Sequence, residues 1–495
     1  MARFVSLSRA AKLVGISRGA MQKKVHDLEL NSFEGQVSLD DIERVFPDAE
    51  LEDNHILEDL EKIIEQAMHK ARGDKLAKLL SPSPQTLAAR TKAISDDLAH
   101  AKKQINQFIS IFSELKTHIT ELSLDSKTPN LYEDLNNWID DSVIKIKEPD
   151  TKASPLLNKD TILRIIAAQV HLKNTGHEFF VDGSNTILEA GLSAGLALNY
   201  GCSNGNCGKC KAKLISGKIK KIRPHDYAFT ESEKLQNYFL CCSNTAVTEI
   251  EIEADEAGSE KDIPKQRIAA KVKNVKQQSD DVYILNLKTP RTKRLRFLAG
   301  QKVILSQPDL PELEIPIASC PCDDMNIQFH ISADSTHPFA KHIINGLSSS
   351  DSIKINGPAG SFILDEDSNT PIIFIAFDTG FAPIKSLIEH AVTLEHSEFI
   401  NLYWLHSHDK PYMHNQCRAW EDALDNFNYK QTQITDGDNE SIETKLKPLL
   451  SSYSDLSSFN IYICGPEKML KKSQQILLDH NADNKRIKTQ AIIEG

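Results

Sequence analysis

Residues 200–210 read Tyr-Gly-Cys-Ser-Asn-Gly-Asn-Cys-Gly-Lys-Cys, three cysteines and three glycines in a chain that holds only nine and 21 of them in all. Whatever fold forms must curl this loop tightly enough to serve three thiols at once. Gly201, Gly205 and Gly208 permit that by letting the backbone wrap closely and aim N–H groups at sulfur. A disulfide staple is excluded: three crowded cysteines leave no plausible pairing, and an odd total clustered in one region fits reduced thiols. Structural zinc sites usually pair two C-x2-C units, and no second such unit exists here. The cradle of a redox cluster is the third reading, and the spacing of the cysteines bears on it.

At 495 residues the chain exceeds what one core serves, so several domains are expected. A net charge of −11 argues against nonspecific nucleic-acid binding by the whole molecule, although one domain can still be basic. No apolar run reaches about 18 residues, so no membrane span is expected. The opening MARFVSLSRAAK lacks the apolar stretch of a secretion signal, and a cytoplasmic protein is expected.

Cys202, Cys207 and Cys210 have the spacing C-x4-C-x2-C, which resembles that of plant-type [2Fe–2S] ferredoxins. Around it, RIIAAQVHLKNTGHEFFVDG reads as a strand hairpin, NTILEAGLSAGLAL as a helix and CKAKLISGKIK as a strand, so residues 161–255 resemble a β-grasp ferredoxin domain. The resemblance implies a fourth thiolate from YFLCCSNTAVTEIEIEA. The family's Leu-x-Cys pattern selects Cys242 through Leu240, with Cys241 as the alternative.

The rest is similar to the ferredoxin–NADP reductase module, a flavin-type β-barrel (265–366) followed by an α/β nucleotide-binding domain (370–495). LRFLAGQKVILS closes on Gly300 and Gln301, and LEIPIAS retains Ala318 and Ser319. INGPAGSFIL places Gly357, Gly360 and Ser361 at the turn that approaches the flavin pyrophosphate in that family. IIFIAFDTGFAPIKSLIEHA is a buried strand, a turn at Thr379-Gly380 and a helix begun near Pro383, a phosphate site on a helix N-terminus. NIYICGPEKMLKK supplies Cys464, Gly465 and Pro466, and the family's cysteine there lies beside the nicotinamide ring. Residues 161–495 thus resemble the electron-transfer component of multicomponent oxygenases. That implies FAD, NAD(P)H and an electron-acceptor protein as partner.

Three places depart from the family. Its Arg-x-Tyr-Ser flavin motif is replaced by Leu313, Ile315 and Pro316. Its Gly-Gly-Thr-Gly loop becomes Phe377-Asp378-Thr379-Gly380, so that a bulky residue is expected to fill the pyrophosphate space and a carboxylate to repel it. The terminal AIIEG lacks the aromatic residue that often covers the flavin. Either the flavin is held differently, or the reductase half has kept its fold and lost catalysis.

Residues 1–50 read as a helix, a turn at Gly15-Ile16 and a second helix placing Met21 and Val25 on one face, with six Lys or Arg and no acid up to His26. This resembles the helix-turn-helix of excisionase-like and MerR-like proteins, with DNA as the partner it implies; the other reading is a helical docking module. FEGQVSLDDIERVFP suggests a hairpin at Glu34-Gly35 and a short helix. Residues 51–125 read as helical, broken by SPSPQT at 81–86. From Ile94 through Leu98, Ala101, Ile105, Phe108, Phe112, Leu115 and Ile119 to Leu122 the apolar spacing alternates four and three, a coiled-coil seam. It pairs two copies through residues 87–123, or folds back on residues 51–80. Residues 126–160 read as a linker.

His406, His408, His414 and Cys417 are expected as polar loop residues near the nucleotide ribose rather than as a metal site. Cys320 and Cys322 resemble a redox pair, but C-x-C is too short for easy closure, and a plain loop position is expected instead. His171 and His177 fit exposed strand positions. Two functions follow: a reductase passing NAD(P)H electrons through flavin and cluster to a partner, or a DNA-binding regulator whose cluster senses redox state.

Overall fold

The computed structural model describes residues 4–14, 16, 18–26, 30, 32–33, 36–46, 83–124, 135, 137–139, 164–182, 185–290, 292–365, 370–394, 397, 399–434, 442–453 and 455–492. Residues 51–80, and with them a helical hairpin, lie outside this set, as do Glu34-Gly35 and most of the expected linker at 126–160.

The first unit joins β1 (Phe4–Ser6), α1 (Leu7–Val14), α2 (Arg18–His26), β2 (Ser32–Phe33), β3 (Gln36–Ser38) and α3 (Leu39–Val45). Ala10, Ala11, Leu13, Met21, Val37 and Ile42 form its core, with Ile16 packed against it in the turn.

Helix α4 (Pro84–Leu124) is a single 41-residue rod. It starts inside the stretch expected to break it, because Pro84 suits a first helical turn and the Ser83 hydroxyl accepts the Thr86 N–H at 3.1 Å. Its opening turns dock on the rest of the chain. Thr86, Arg90 and Ala93 are buried against the following domain, whereas Leu98, Ile105, Phe108 and Leu115 are exposed. The fully buried Arg90 donates from Nη1 to Ile165 O (3.3 Å) and Ile166 O, and from Nη2 to Val181 O (2.9 Å) and Ala246 O (3.1 Å).

That domain contains β4 (Ala167–Leu172), β5 (Glu178–Asp182), α5 (Ile187–Ser193), β6 (Lys211–Ser216), β7 (Ile219–Lys221), α6 (Glu231–Leu235), β8 (Tyr238–Leu240), β9 (Asn244–Ala246) and β10 (Ile250–Ala254). Its mixed sheet runs β5-β4-β10-β6-β8, with the expected β4–β5 hairpin and α5 packed on its apolar face, the β-grasp arrangement. His171 is partly exposed on β4, and His177 lies in the turn ahead of β5, 2.9 Å from Glu256.

A six-stranded antiparallel sheet follows, ordered β14-β13-β16-β11-β12-β15. Its strands are β11 (Gln266–Gln277), β12 (Val282–Lys288), β13 (Lys302–Ser306), β14 (Leu313–Pro316), β15 (Asn326–Ser332) and β16 (Ser352–Ala359), with α7 (Pro338–Gly346) packed on their core. The last domain is a parallel sheet, β19-β18-β17-β20-β21, built from β17 (Ile372–Phe377), α8 (Phe381–Leu394), β18 (Ile400–His406), α9 (His414–Ala423), β19 (Phe427–Gln433), α10 (Ile442–Ser452), β20 (Asn460–Gly465), α11 (Glu467–Asp479) and β21 (Ile487–Ala491). Every residue of β17, β18 and β20 is buried, as a parallel strand covered on both faces requires. Among the described residues no helix is long and apolar enough to cross a membrane.

Candidate functional site

The loop between α5 and β6 brings the predicted thiols together as two pairs. Cys202 N donates to Cys207 Sγ at 3.3 Å and Cys207 N to Cys202 Sγ at 3.4 Å. The Cys210 thiol donates to Cys242 Sγ at 3.2 Å. Among the described residues no three His, Cys, Asp or Glu side chains converge on one point, as a single metal ion needs. Two pairs suit two irons instead.

Each pair is primed for ligation. Burial opposes ionisation of Cys202, but N–H donors from Asn204, Cys207 and Asn206 overcome it and hold its thiol below the ordinary range. The Cys210 donor pulls Cys242 down to about 6, despite burial, while Cys210 itself rises. Cys241 differs from its neighbour. Its backbone N–H donates to Cys210 O at 2.9 Å, and burial pushes its thiol up. Cys207 is the exposed member of the set. The glycines are sterically required: at φ +81° a Cβ on Gly205 would collide with His225, and at φ +72° one on Gly208 would strike the Tyr227 ring. Residues 222–229 therefore close over the loop, a contribution that carries no sequence motif.

Tyr200, two positions before Cys202, ties this domain to the next. It is buried, and its hydroxyl donates to Asp324 Oδ2 at 2.8 Å, while Arg294 Nη1 donates to Asp324 Oδ1 at 2.9 Å. Arg296 Nη1 reaches Asn199 Oδ1 at 2.7 Å. Loop 318–325 is also bound from the far side, where Ser386 Oγ donates to Ser319 O at 2.7 Å and Lys385 Nζ to Ala318 O at 3.2 Å. Three domains meet at this loop.

Between the β14–β15 edge and the carboxyl ends of β17, β18 and β20 lies a crevice of about 790 Å³, the place where open parallel sheets bind ligands. Thr379 and Pro466 line it, as do the replacement residues Leu313, Ile315 and Pro316. Ser361 is exposed, and Gly360, at φ +103°, is half-buried beside Lys302 and Gln490. The other residues singled out lie beneath the surface. Gln301 donates to Gly360 O (3.2 Å) and accepts from Leu298 N (2.8 Å), while Gly300, Ala318, Ser319, Gly357, Pro383, Gly465 and Cys464 are buried. Gly380 has no room for a Cβ against Cys464 O.

Phe377 does not fill the phosphate space. Alternation along β17 turns it, with Ile373 and Ile375, into the core on the opposite face, where it packs on Gly465. Asp378 does line the crevice, at φ +43°, and its carboxylate is bound by Ser407 N (2.7 Å) and Ser407 Oγ (2.8 Å).

The crevice has polar groups of its own. Trp404, stacked on Phe381 at 3.8 Å, is among its lining residues, and its buried Nε1–H has no partner among the described residues. His330 Nδ1 shares a 2.8 Å hydrogen bond with Tyr412 Oη, and burial, then Lys385, holds this imidazole well below its usual range. Its lining is mixed, with Asp281, Glu314, Asp334, Asp378, Lys410 and Lys468 beside the aliphatic residues, so the site fits a large ligand that carries polar groups as well as an apolar ring. In the histidine loop His406 bonds to His408 O (2.6 Å), His408 to Asp281 (3.0 Å) and His414 to Tyr429 (3.2 Å), and Cys417 is buried.

Residues 170–246 match the family of 2Fe-2S iron-sulfur cluster binding domains, and residues 374–475 match the oxidoreductase NAD-binding domain. The CDP-6-deoxy-L-threo-D-glycero-4-hexulose-3-dehydrase reductase of Yersinia pseudotuberculosis is 29% identical over 325 residues, covering 65% of this chain and 97% of that protein. Reductase component 1 of terephthalate 1,2-dioxygenase from a Comamonas species is 27% identical over 308 residues, 61% of this chain and 90% of its own length. Among solved structures, the Amycolatopsis cytochrome P450 reductase GcoB aligns at 20% identity and a TM-score of 0.41, over 66% of this chain and 98% of that one.

Proposed function

We propose that this chain, a homologue of oxygenase reductase components with a 2Fe-2S cluster binding domain and an oxidoreductase NAD-binding domain, is an NAD(P)H-dependent oxidoreductase that delivers electrons to a partner protein. The chemistry supplied by the bound groups is hydride acceptance from NAD(P)H at FAD and one-electron relay at a [2Fe–2S] cluster. Cys202, Cys207, Cys210 and Cys242 would hold the cluster, and the exposed Cys207 edge faces the acceptor. Trp404 Nε1–H orients the ligand in the crevice, and the neutral His330 keeps Tyr412 in place as its wall. Reduced, unpaired cysteines support a cytoplasmic setting.

The observation that carries this reading is the pairing of two sites on one chain: two thiol pairs and a crevice at the ends of parallel strands, joined through Tyr200 and Asp324. An ultraviolet–visible spectrum of anaerobically purified protein, taken before and after NADH or NADPH, tests it. Flavin bands together with cluster bands that bleach on adding nucleotide are expected. Cluster bands that bleach with dithionite and ignore nucleotide would sink the reading.

A second reading is favoured by the exposed apolar stripe of α4 downstream of its docked end. The stripe pairs two copies, and residues 1–50 then meet duplex DNA as a symmetric pair of helix-turn-helix units. Binding by full-length protein that weakens steeply with salt supports it, and a monomer indifferent to duplex removes it.

A further inference from the structure

Cys320 and Cys322 occupy the centre of the loop where three domains meet. Asp323 N donates to Cys320 O at 3.2 Å, closing a turn with Pro321 in its second position. Cys322 N donates to Cys320 Sγ at 3.3 Å. Cys320 is buried, while Cys322 is half-exposed and, with Pro321, lines a small hollow against Leu192, Gly195 and Leu198 of the ferredoxin-type domain. The remaining cysteines lie at the cluster loop or, as Cys417 and Cys464, in the apolar core. Nothing in the electron-transfer reading uses this pair.

We propose that Cys320 and Cys322 are a reversible dithiol–disulfide switch, closed by hydroperoxides, that loosens the three-domain junction when oxidised. The Cys322 thiolate attacks a peroxide oxygen, the O–O bond breaks, and the distal fragment leaves as alcohol or water. Cys320 then attacks the resulting sulfenic sulfur, the S–S bond forms, and the hydroxyl departs as water. Two thiol protons and two electrons pass to the peroxide, so the step balances. Hydrogen bonding from Cys320 holds the Cys322 thiol below its ordinary range, against its burial, which favours it as the attacking sulfur.

The short ring argues for a switch over a staple. A bridge across one intervening residue is strained, and strained disulfides are the readily reduced ones. Closure must also move Cys322 off its N–H···S contact. That drags Asp323 and Asp324, and Asp324 is the residue that Tyr200 and Arg294 grip. Oxidation at one turn is thereby felt in the segment leading into the cluster loop.

Full-length protein, reduced and desalted, is titrated with hydrogen peroxide. Mass spectrometry follows the peptide carrying both residues, and deuterium exchange follows residues 196–200. The peptide is expected to lose two hydrogens before Cys417 or Cys464 reacts and to regain them with dithiothreitol. Amides of residues 196–200 are expected to exchange roughly threefold faster or more in the bridged form. Cys322→Ser is expected to show neither change under the same peroxide, which separates the switch from damage at the cluster loop. Thiols at 320 and 322 that both remain alkylatable while the cluster loop is destroyed overturn the proposal. So does a bridge that leaves the exchange unchanged.

Discussion

At the loop proposed to hold the cluster, side chains of fixed identity would supply every ligating atom, and the backbone is shaped around them. Gly205 and Gly208 have no room for a Cβ, and Cys202 and Cys242 are held as better ligands than a free thiol. The crevice is held to a looser standard. Its strands and turn are in place, yet an aliphatic set, Leu313, Ile315 and Pro316, lines it where the related motif carries charge, ring and hydroxyl. The difference teaches where sequence can drift. A metal cluster demands particular atoms at bonding distance, whereas an organic ligand is held by area, backbone and a few polar groups that can be relocated.

The comparison breaks first at the paired cysteines. Cys242→Ser is expected to abolish stable cluster loading, and Cys241→Ser to leave iron and sulfide content near wild type, read by metal analysis and visible absorbance. Equal loss in both would mean that the two-pair geometry does not select the ligand. Next comes the anchor beside the cluster domain. Arg90→Met leaves four carbonyls without their donor and is expected to cost on the order of 3 kcal/mol of helix docking. Limited proteolysis near residue 84 should then quicken while cluster absorbance persists, and unchanged protection would show that apolar contacts suffice.

On the crevice side the expected effects are smaller. Trp404→Phe keeps the stack on Phe381 and removes the orphan N–H. It is expected to raise the nucleotide KM roughly fivefold, equivalent to about 1 kcal/mol, without altering iron content. An unchanged KM would remove Trp404 from ligand binding. The smallest effect concerns pH. Burial and Lys385 depress His330 in the folded protein, whereas the unfolded imidazole titrates near about 6.5. Below that pH the unfolded chain binds a proton that the folded protein refuses, so stability is full above it and falls as pH drops through it. His330→Gln is expected to flatten the decline of Tm between about pH 6.5 and 5. An identical slope would assign the decline to other groups.

Legibility in the sequence follows the same divide. C-x4-C-x2-C announces itself because covalent spacing and ligand geometry are coupled, and the buried run of β17 announces a parallel strand. The side to which Phe377 points was not legible, since a loop motif read in one dimension ignores the strand's alternation. Arg90 was invisible for a different reason. Its acceptors are backbone carbonyls near residues 165, 181 and 246, and carbonyls leave no trace in composition. The start of α4 at Pro84 falls inside the stretch read as a break, because Ser and Pro mark both a helix N-terminus and a loop. Trp404 sits in an apolar run that reads as core, and only its strand's end, facing the crevice, gives it a second role.

The Arg90 anchor also sets an order of events during synthesis. Its last acceptor, Ala246 O, lies 156 residues downstream. At ribosomal rates of about 5–20 residues per second, that carbonyl emerges roughly 8–30 seconds after the guanidinium it will receive. During that interval the guanidinium lacks its last acceptor and the docking face of α4, Thr86, Arg90 and Ala93, is uncovered, well before the crevice domain exists. The same contact that locks the finished molecule thus forms only once about half of the chain has been made.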